Sequence, residues 1–410
     1  MPSSIATDSE GNVYVSGRTN SSDFPVTKQA YDSLYNGGND IFVTKINATG
    51  TQLVYSTFLA GSDDGIQWGF GDIVVDKKGQ AIVAEYVGKN GFRVTPNAYR
   101  TGFSGGSCDI YLAKLNTTGT SLVFGTYLGG SKGDRVSNIK LDSEGNIYLL
   151  GNTQSTDFPF TSGAYDISYN GGSQELYGGD AFLAKLDSSG EKLLYSTFIG
   201  GNNDELAGSI TLLPTGNLCF SIGTKSGNLK TSEPAFSTYH SGGNDLYFGR
   251  FNDSLNKLEY AAYIGGNGND YPGGMEINDS GIIYISGGTT SVDLLAVEAF
   301  QPNNKGNNDG FIMKIILEDE LSQNINKNET LNGVEIFPNP TTGEFTISFG
   351  TTPLQAVIVE IYNTEGRLIL TKTFRNTTTA TIDLTSNPHG MYLATLRVDG
   401  VFYSQKICIE

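Results

Sequence analysis

Asp180–Gly201, DAFLAKLDSSGEKLLYSTFIGG, sets the pattern for most of the chain. Phe182, Ala184 and Leu186 fall on one side, and Ala181, Leu183 and Lys185 on the other. A period of two predicts a β-strand. Both sides are largely apolar, so other sheets must cover both faces. Asp187 to Gly190 is turn chemistry, because glycine takes positive φ and the aspartate bonds its own turn backbone. LLYSTFIGG then returns as a second strand, and its two glycines let the chain leave the sheet sharply. The unit recurs at Asp40–Gly61, Asp109–Gly130 and Asp245–Gly266, with a half copy at Asp309–Ile316.

Successive copies start 69, 71, 65 and 64 residues apart. Between them lies a second hairpin: Ser4–Gly17, Asp72–Glu85, Asn138–Gly151, Ser209–Gly223 and Gly274–Gly287. Two hairpins per period give four antiparallel strands per period, and such a sheet copied around an axis is a propeller blade. The pattern D-[AIL]-[FY]-x-x-K-[LI]-[ND]-x-x-G…[YF]-[SG]-T-[YF]-[LI]-G-G is followed by V-D-x-x-G-N-[IV]-Y and T-x-S-x-D-F-P. This succession resembles the SBBP family of β-propeller repeats over roughly the first three quarters of the chain.

The fold expected is therefore all-β: a five-repeat β-propeller over 1–317, with four-stranded blades, followed by a linker over 318–332 and a small domain over 333–410. The second hairpin is assigned to the two inner strands of each blade. The fifth repeat stops at DGFIMKII, so the last blade is expected to lack its outer strand. Met1 falls inside a repeat, so the expectation is a chain truncated at its N-terminus, with a closing strand and signal peptide upstream. The alternative is a natural start and an imperfectly closed ring. From about Leu317 to Asn332 the chain turns polar, as a linker does. About seven short strands follow, separated by PNPTTG, NTEG, NPHG and VDG turns, which predicts an Ig-like β-sandwich.

The last domain also carries a resemblance. Its residues are Phe337-Pro338-Asn339-Pro340-Thr341 with Gly343, the Val359–Leu368 run containing Gly366, and Gly390-Met391-Tyr392-Leu393, closing on Lys406-Ile407. They are similar to the type A C-terminal sorting domain of the Bacteroidetes type IX secretion system. The resemblance implies export across the outer membrane, with the translocon and its sorting peptidase as partners through 333–410. It also implies removal of the domain near the linker, and a secreted or cell-surface destination.

Composition narrows the rest. Net charge is −17 and the pI about 4.5, which argues against nucleic acid and anionic membrane surfaces. No run of about 18 apolar residues exists to span a bilayer. The three cysteines have no ligand spacing, and the two histidines form no catalytic set.

Two sets of residues recur by position. Lys45, Lys114, Lys185, Arg250 and Lys314 occupy one strand position, and a buried charge there calls for a carboxylate partner. Asp64, Asp134, Asp204 and Asp270 each follow the exit glycines. They suit turn capping through backbone N–H bonds, or a cation such as calcium held at the axis. Turn capping is the expectation, so no cofactor is expected. Tyr31, Tyr99 and Tyr165 in the long loops are expected to pack on the blade edge, with sugar stacking as the alternative. Trp68 alone breaks the repeat and is carried with the acids as a candidate ligand contact on the rim, for a glycan or a protein.

Two functions fit. One is a secreted or surface-displayed propeller used for binding, adhesion or scaffolding. The other is a propeller enzyme acting on polysaccharide through two rim carboxylates. The non-enzymatic role is the expectation.

Overall fold

The structure, a computed structural model, describes residues 1–59, 71–88, 91–173, 178–278, 281–296, 299–317, 334–349, 354–363, 367–398 and 401–409. All regular elements among them are β-strands, and nearly all form antiparallel sheets of three or four. The expected linker over 318–332 lies outside the described residues.

The first sheet runs β1 (Pro2–Thr7), β2 (Val13–Thr19), β3 (Asp40–Ile46) and β4 (Leu53–Phe58) in spatial order. The second repeats it with β5 (Asp72–Val75), β6 (Ala81–Val87), β7 (Asp109–Leu115) and β8 (Leu122–Leu128). The third has β9 (Asp134–Leu141), β10 (Ile147–Thr153), β11 (Asp180–Leu186) and β12 (Leu193–Ile199). The fourth has β13 (Glu205–Leu212), β14 (Leu218–Thr224), β15 (Asp245–Phe251) and β16 (Leu258–Ile264). A fifth, three-stranded sheet has β17 (Asp270–Ile277), β18 (Ile283–Thr289) and β19 (Asp309–Ile315).

Each first strand packs on the next: β1 on β5, β5 on β9, β9 on β13 and β13 on β17. The D-x-x-G hairpins are therefore the inner pair, as the sequence pattern indicated. One buried cluster forms between each pair of neighbouring four-stranded sheets. Tyr14 and Val43 meet Val83 and Tyr111; Ile82 and Leu112 meet Leu149 and Phe182; Leu150 and Leu183 meet Phe220 and Tyr247. That accounts for strands apolar on both faces.

A polar thread runs along the inner strands at one repeated position. Ser4 Oγ donates to Asp72 Oδ1 at 2.6 Å, and Asn138 Nδ2 donates to Asp72 Oδ2 at 2.7 Å. Ser209 Oγ and the Ile210 amide donate in turn to Asn138 Oδ1, at 3.2 and 2.9 Å. Lys140 on β9 and Glu276 on β17 pair at 2.7 Å, so the row of sheets bends until its third and fifth inner strands face each other.

The outer turns show how closely the sheets approach. Gly119 (φ +66°) and Gly190 (φ +70°) lie over the fourth-strand rings of the preceding sheets, where an added Cβ would stand 2.4 Å from Tyr55 and 2.6 Å from Phe124. In the fourth sheet Leu255 takes this place at φ 60°, and its side chain is buried in the cluster that contains Tyr195. The cost of a left-handed leucine is offset there by apolar burial.

The chain divides into two compact units, Met1–Ile277 with Ile283–Ile315, and Ile316–Glu410 with Asn278–Ile282. In the second, β20 (Val334–Phe337), β21 (Glu344–Phe349) and β24 (Thr379–Asp383) form one sheet. The other is ordered β23 (Leu368–Thr377), β22 (Leu354–Asn363), β25 (Gly390–Val398) and β26 (Val401–Ile409). Ile336, Phe345 and Ile347 of the first sheet share one core with Val357, Ile361 and Leu396 of the second.

Gly119→Ala and Gly190→Ala are expected to destabilise by about 2–3 kcal/mol, since the methyl meets a ring in a backbone already at positive φ. Gly163→Ala has φ +80° but nothing within 4 Å, and should cost only about 1 kcal/mol. Urea unfolding of the three variants checks the difference.

Candidate functional site

The repeated lysines and the turn aspartates of the inner hairpins meet in the first three sheets. Lys45, Lys114 and Lys185 lie 3.3, 2.8 and 3.1 Å from Oδ2 of Asp8, Asp76 and Asp142. The other oxygen of each aspartate accepts two amides of its own turn, as Asp142 Oδ1 does from Glu144 (3.0 Å) and Asn146 (2.9 Å). One carboxylate thus closes a hairpin and ties it to the next strand. Burial alone would raise these acids, but hydrogen bonds from Asn12, Tyr14 and Lys45 hold Asp8 well below the usual range. Asp76 and Asp142 are lowered against burial in the same way, by Lys114 with Gln80 and by Asn146 with Lys185.

The fourth and fifth sheets differ. Leu213 and Asn278 stand where the turn aspartate would be. Arg250 turns instead to Glu259 at 3.6 Å, and Lys314 is exposed rather than buried. Among the described residues no fourth strand covers β19 in the fifth sheet, and the position opens to solvent.

At the opposite end of the hairpins lies a second set of acids. Asp134, Glu205 and Asp270 open the first strands of the third, fourth and fifth sheets and are buried. Each accepts the amide four residues upstream: Gly130 (2.6 Å), Gly201 (3.1 Å) and Gly266 (2.8 Å). Hydroxyls complete the shell, with Thr153 and Ser155 on Asp134, Thr224 on Glu205, and Ser291 on Asp270. The residue equivalent to Asp134 is therefore Glu205, not Asp204. Counting from the exit glycines places Asp204 one residue early. It faces the loop amides of Ser173 and Gly179 and the Lys225 ammonium at 3.2 Å.

Beside each of these acids sits an aspartate from the preceding sheet, the first residue of its third strand. The backbone brings them together: Asp134 N donates to Cys108 O, Glu205 N to Gly179 O and Asp270 N to Asn244 O. Those carbonyls precede Asp109, Asp180 and Asp245. Burial pushes Asp109 up to about 6, and Asp134, Asp180 and Glu205 up to about 7, with the neighbouring carboxylate adding to the shift in Asp134 and Asp180. Asp245 is raised by the same causes. The signal was present in the sequence as the aspartate that starts every copy of the repeat. Among the described residues no group of three or more Asp, Glu, His or Cys side chains converges as a metal centre.

One cluster breaks the repeat. Glu85 and Tyr86 end β6 where the other sheets carry Gly17-Arg18, Gly151-Asn152, Ile222-Gly223 and Gly287-Gly288. Glu85 is fully buried and pairs with Arg18 at 3.3 Å, and Arg18 also donates to Tyr86 O. The guanidinium carbons of Arg18 and Arg135 each lie 5.6 Å from the centre of the Tyr86 ring. Gly71 leaves the room, since a Cβ there would stand 2.2 Å from the Glu85 carboxyl. The absence of the usual hairpin glycine at 85 was the readable sign. Asp64 and Trp68 lie outside the described residues.

In the long loops Tyr31, Tyr99 and Tyr165 are half-buried and pack against the clusters between sheets. Tyr165 meets Phe251 edge-on at 5.3 Å. Other loop residues point outward: Leu34, Phe160, Ile167, Phe236, Tyr239 and Phe300 are exposed.

In the C-terminal unit the Pro338-Asn339-Pro340 motif lies along the free edge of β26. Asn339 Nδ2 donates to Lys406 O at 2.6 Å and Asn339 Oδ1 accepts the Cys408 amide at 2.9 Å. The Thr341 amide continues the contact to Cys408 O at 2.8 Å. Gly343 (φ +115°) turns the chain against Thr385, and Gly390 (φ +146°) opens β25. Gly366 lies outside the described residues. The family described as a secretion system C-terminal sorting domain matches residues 335–410, and the SBBP β-propeller repeat matches residues 2–25 and 123–159. The chain carries SBBP β-propeller repeats and a type IX sorting tail. No curated protein matches it. Among solved structures it is similar to a protein of unknown function from Dyadobacter fermentans, at 12% identity and TM-score 0.42 over 99% of this chain and 94% of that one. A GH43 β-xylosidase/α-arabinofuranosidase from a compost metagenome matches at 12% identity and TM-score 0.35, over 78% and 91%. An α-L-arabinofuranosidase from Podospora anserina matches at 8% and 0.34, over 77% and 90%. These likenesses are too distant to bear on activity. No helix among the described residues is long and apolar enough to cross a membrane.

Asp76 and Asp142 are lowered on folding, so their contribution is present above the ordinary carboxylate range and is lost as pH falls through the folded values. Asp76→Asn and Asp142→Asn should flatten the acid limb of Tm against pH in the N-terminal unit; calorimetry across that limb reads it. Glu85→Gln should cost about 3–5 kcal/mol by removing the carboxylate from a buried ion pair. Denaturant unfolding measures it, and a loss within experimental error would contradict a structural role for the pair.

Proposed function

We propose that this protein is a secreted or cell-surface propeller that works by binding, as an adhesion or scaffold module, and that its sorting tail delivers it. The sorting domain implies secretion and attachment at the cell surface. The finer reading has five blades over 1–317, the fifth without its outer strand. A linker over 318–332 and an Ig-like sandwich over 333–410 follow. The translocon and the sorting peptidase engage that last segment.

One observation carries the binding reading. The first-strand acids Asp134, Glu205 and Asp270 are turned inward while the loops joining the second and third strands turn large apolar side chains out. Asp134 and Asp270 are buried among glycine amides and hydroxyls, where a polysaccharide cannot meet them. Leu34, Ile167, Tyr239 and Phe300 are exposed on loops that leave the same end of their sheets. Apolar and aromatic side chains held on rigid sheets suit a protein or glycan partner.

The purified full chain, applied to a glycan array and to immobilised surface proteins, should bind saturably without releasing product. The combined variant Leu34→Ser, Ile167→Ser, Tyr239→Ser, Phe300→Ser should weaken that binding by about tenfold or more, equivalent to ~1.4 kcal/mol, with Tm unchanged. Turnover of a polysaccharide, or undiminished binding by the variant, would sink the proposal.

A further inference from the structure

Each junction between the second and third, third and fourth, and fourth and fifth sheets holds two buried carboxyl groups: Asp109 with Asp134, Asp180 with Glu205, and Asp245 with Asp270. The two members of a pair are not alike. The first-strand acid is bonded to an upstream glycine amide and to hydroxyls. The third-strand aspartate uses only one oxygen. Its Oδ2 accepts a loop amide, from Ser104, Asn170 (2.7 Å) and Ser241 (2.6 Å) in turn. Its Oδ1 is buried without a hydrogen-bond partner in all three junctions, as is Asp270 Oδ1.

These oxygens point to the same place. Oδ1 of Asp109, Asp180 and Asp245 faces the first exit glycine, 2.6, 2.5 and 2.5 Å from where a Cβ would stand on Gly129, Gly200 and Gly265. At Gly129 that point is also 2.9 Å from Asp134 Oδ2, so the glycine is what lets both carboxyls share one gap. Nearby charges do not balance the pairs. Arg100 and Asp157 act on Asp109, Asp166 on Asp180, and His240 on Asp245. None of the six acids appears in an ion pair among the described residues.

We propose that each of these three junctions binds one calcium ion, held between the unpartnered oxygen of the third-strand aspartate and the first-strand acid of the next sheet. Two carboxylates match the charge of one divalent cation. A buried unpaired carboxylate oxygen is costly, and a hard cation with oxygen ligands removes that cost. Calcium suits the gap because it accepts irregular shells completed by carbonyls and water, whereas magnesium demands near-ideal octahedral geometry. The ion would fasten one sheet to the next at the end where the loops emerge.

The full chain, stripped with EDTA and returned to mildly alkaline buffer, is titrated with calcium chloride by calorimetry and assayed for bound metal after gel filtration. Three ions per chain and a rise in Tm are expected. Each of Asp109→Asn, Asp180→Asn and Asp245→Asn should lower the stoichiometry by one. Asparagine removes the charge conflict, so these variants should fold without calcium, which circular dichroism in EDTA verifies. No uptake by the stripped chain would mean that the pairs hold a proton instead, and would overturn the proposal. So would unchanged stoichiometry in the variants.

Discussion

A sheet that is apolar on both faces cannot stand alone in water. Strands such as DAFLAKL bury Phe182 and Ala184 toward one neighbouring sheet and Ala181 and Leu183 toward the other. The only economical cover is another copy of the same sheet, because it presents the same complementary surface. This constraint explains why the repeat is so regular in spacing while its loops vary. It also explains why the fifth sheet looks different. Its outward face leaves Tyr271, Tyr284 and Ile312 exposed, where the corresponding faces of the second and third sheets are buried.

Stacking apolar faces creates a second problem at the strand ends, where backbone amides and turns are also buried. Carboxylates answer it at both ends. At one, turn aspartates accept their own amides and hold a lysine. At the other, Asp134, Glu205 and Asp270 gather glycine amides and hydroxyls. The acidic balance of the chain is thus partly structural.

Much of this was legible in the sequence because it repeats. Strand period, hairpin turns, the assignment of inner strands and the sorting motif all followed from patterns that recur or match. The acid series was harder to read. The pattern of an aspartate after the exit glycines points to Asp204, whereas the buried site is filled by its neighbour Glu205. Lys314 shares the strand position of its four counterparts but is exposed, as the early stop of the repeat after DGFIMKII implies: among the described residues no fourth strand covers β19. Glu85 and Tyr86 depart from the repeat, so its periodicity carries no sign of the buried ion pair that Glu85 forms with Arg18. The exposed loop side chains were invisible for a related reason: alternation predicts which face of a strand is covered, and loops have no period.

Asn339 illustrates how a short motif acts through the backbone. Its amide offers one donor and one acceptor to β26, as a neighbouring strand would, and occupies the outermost row of the second unit. A terminal strand left open would be a template on which unrelated chains could assemble. With Asn339 on Lys406 and Cys408, that margin of the four-stranded sheet is closed to a foreign strand by three residues rather than by a whole partner strand.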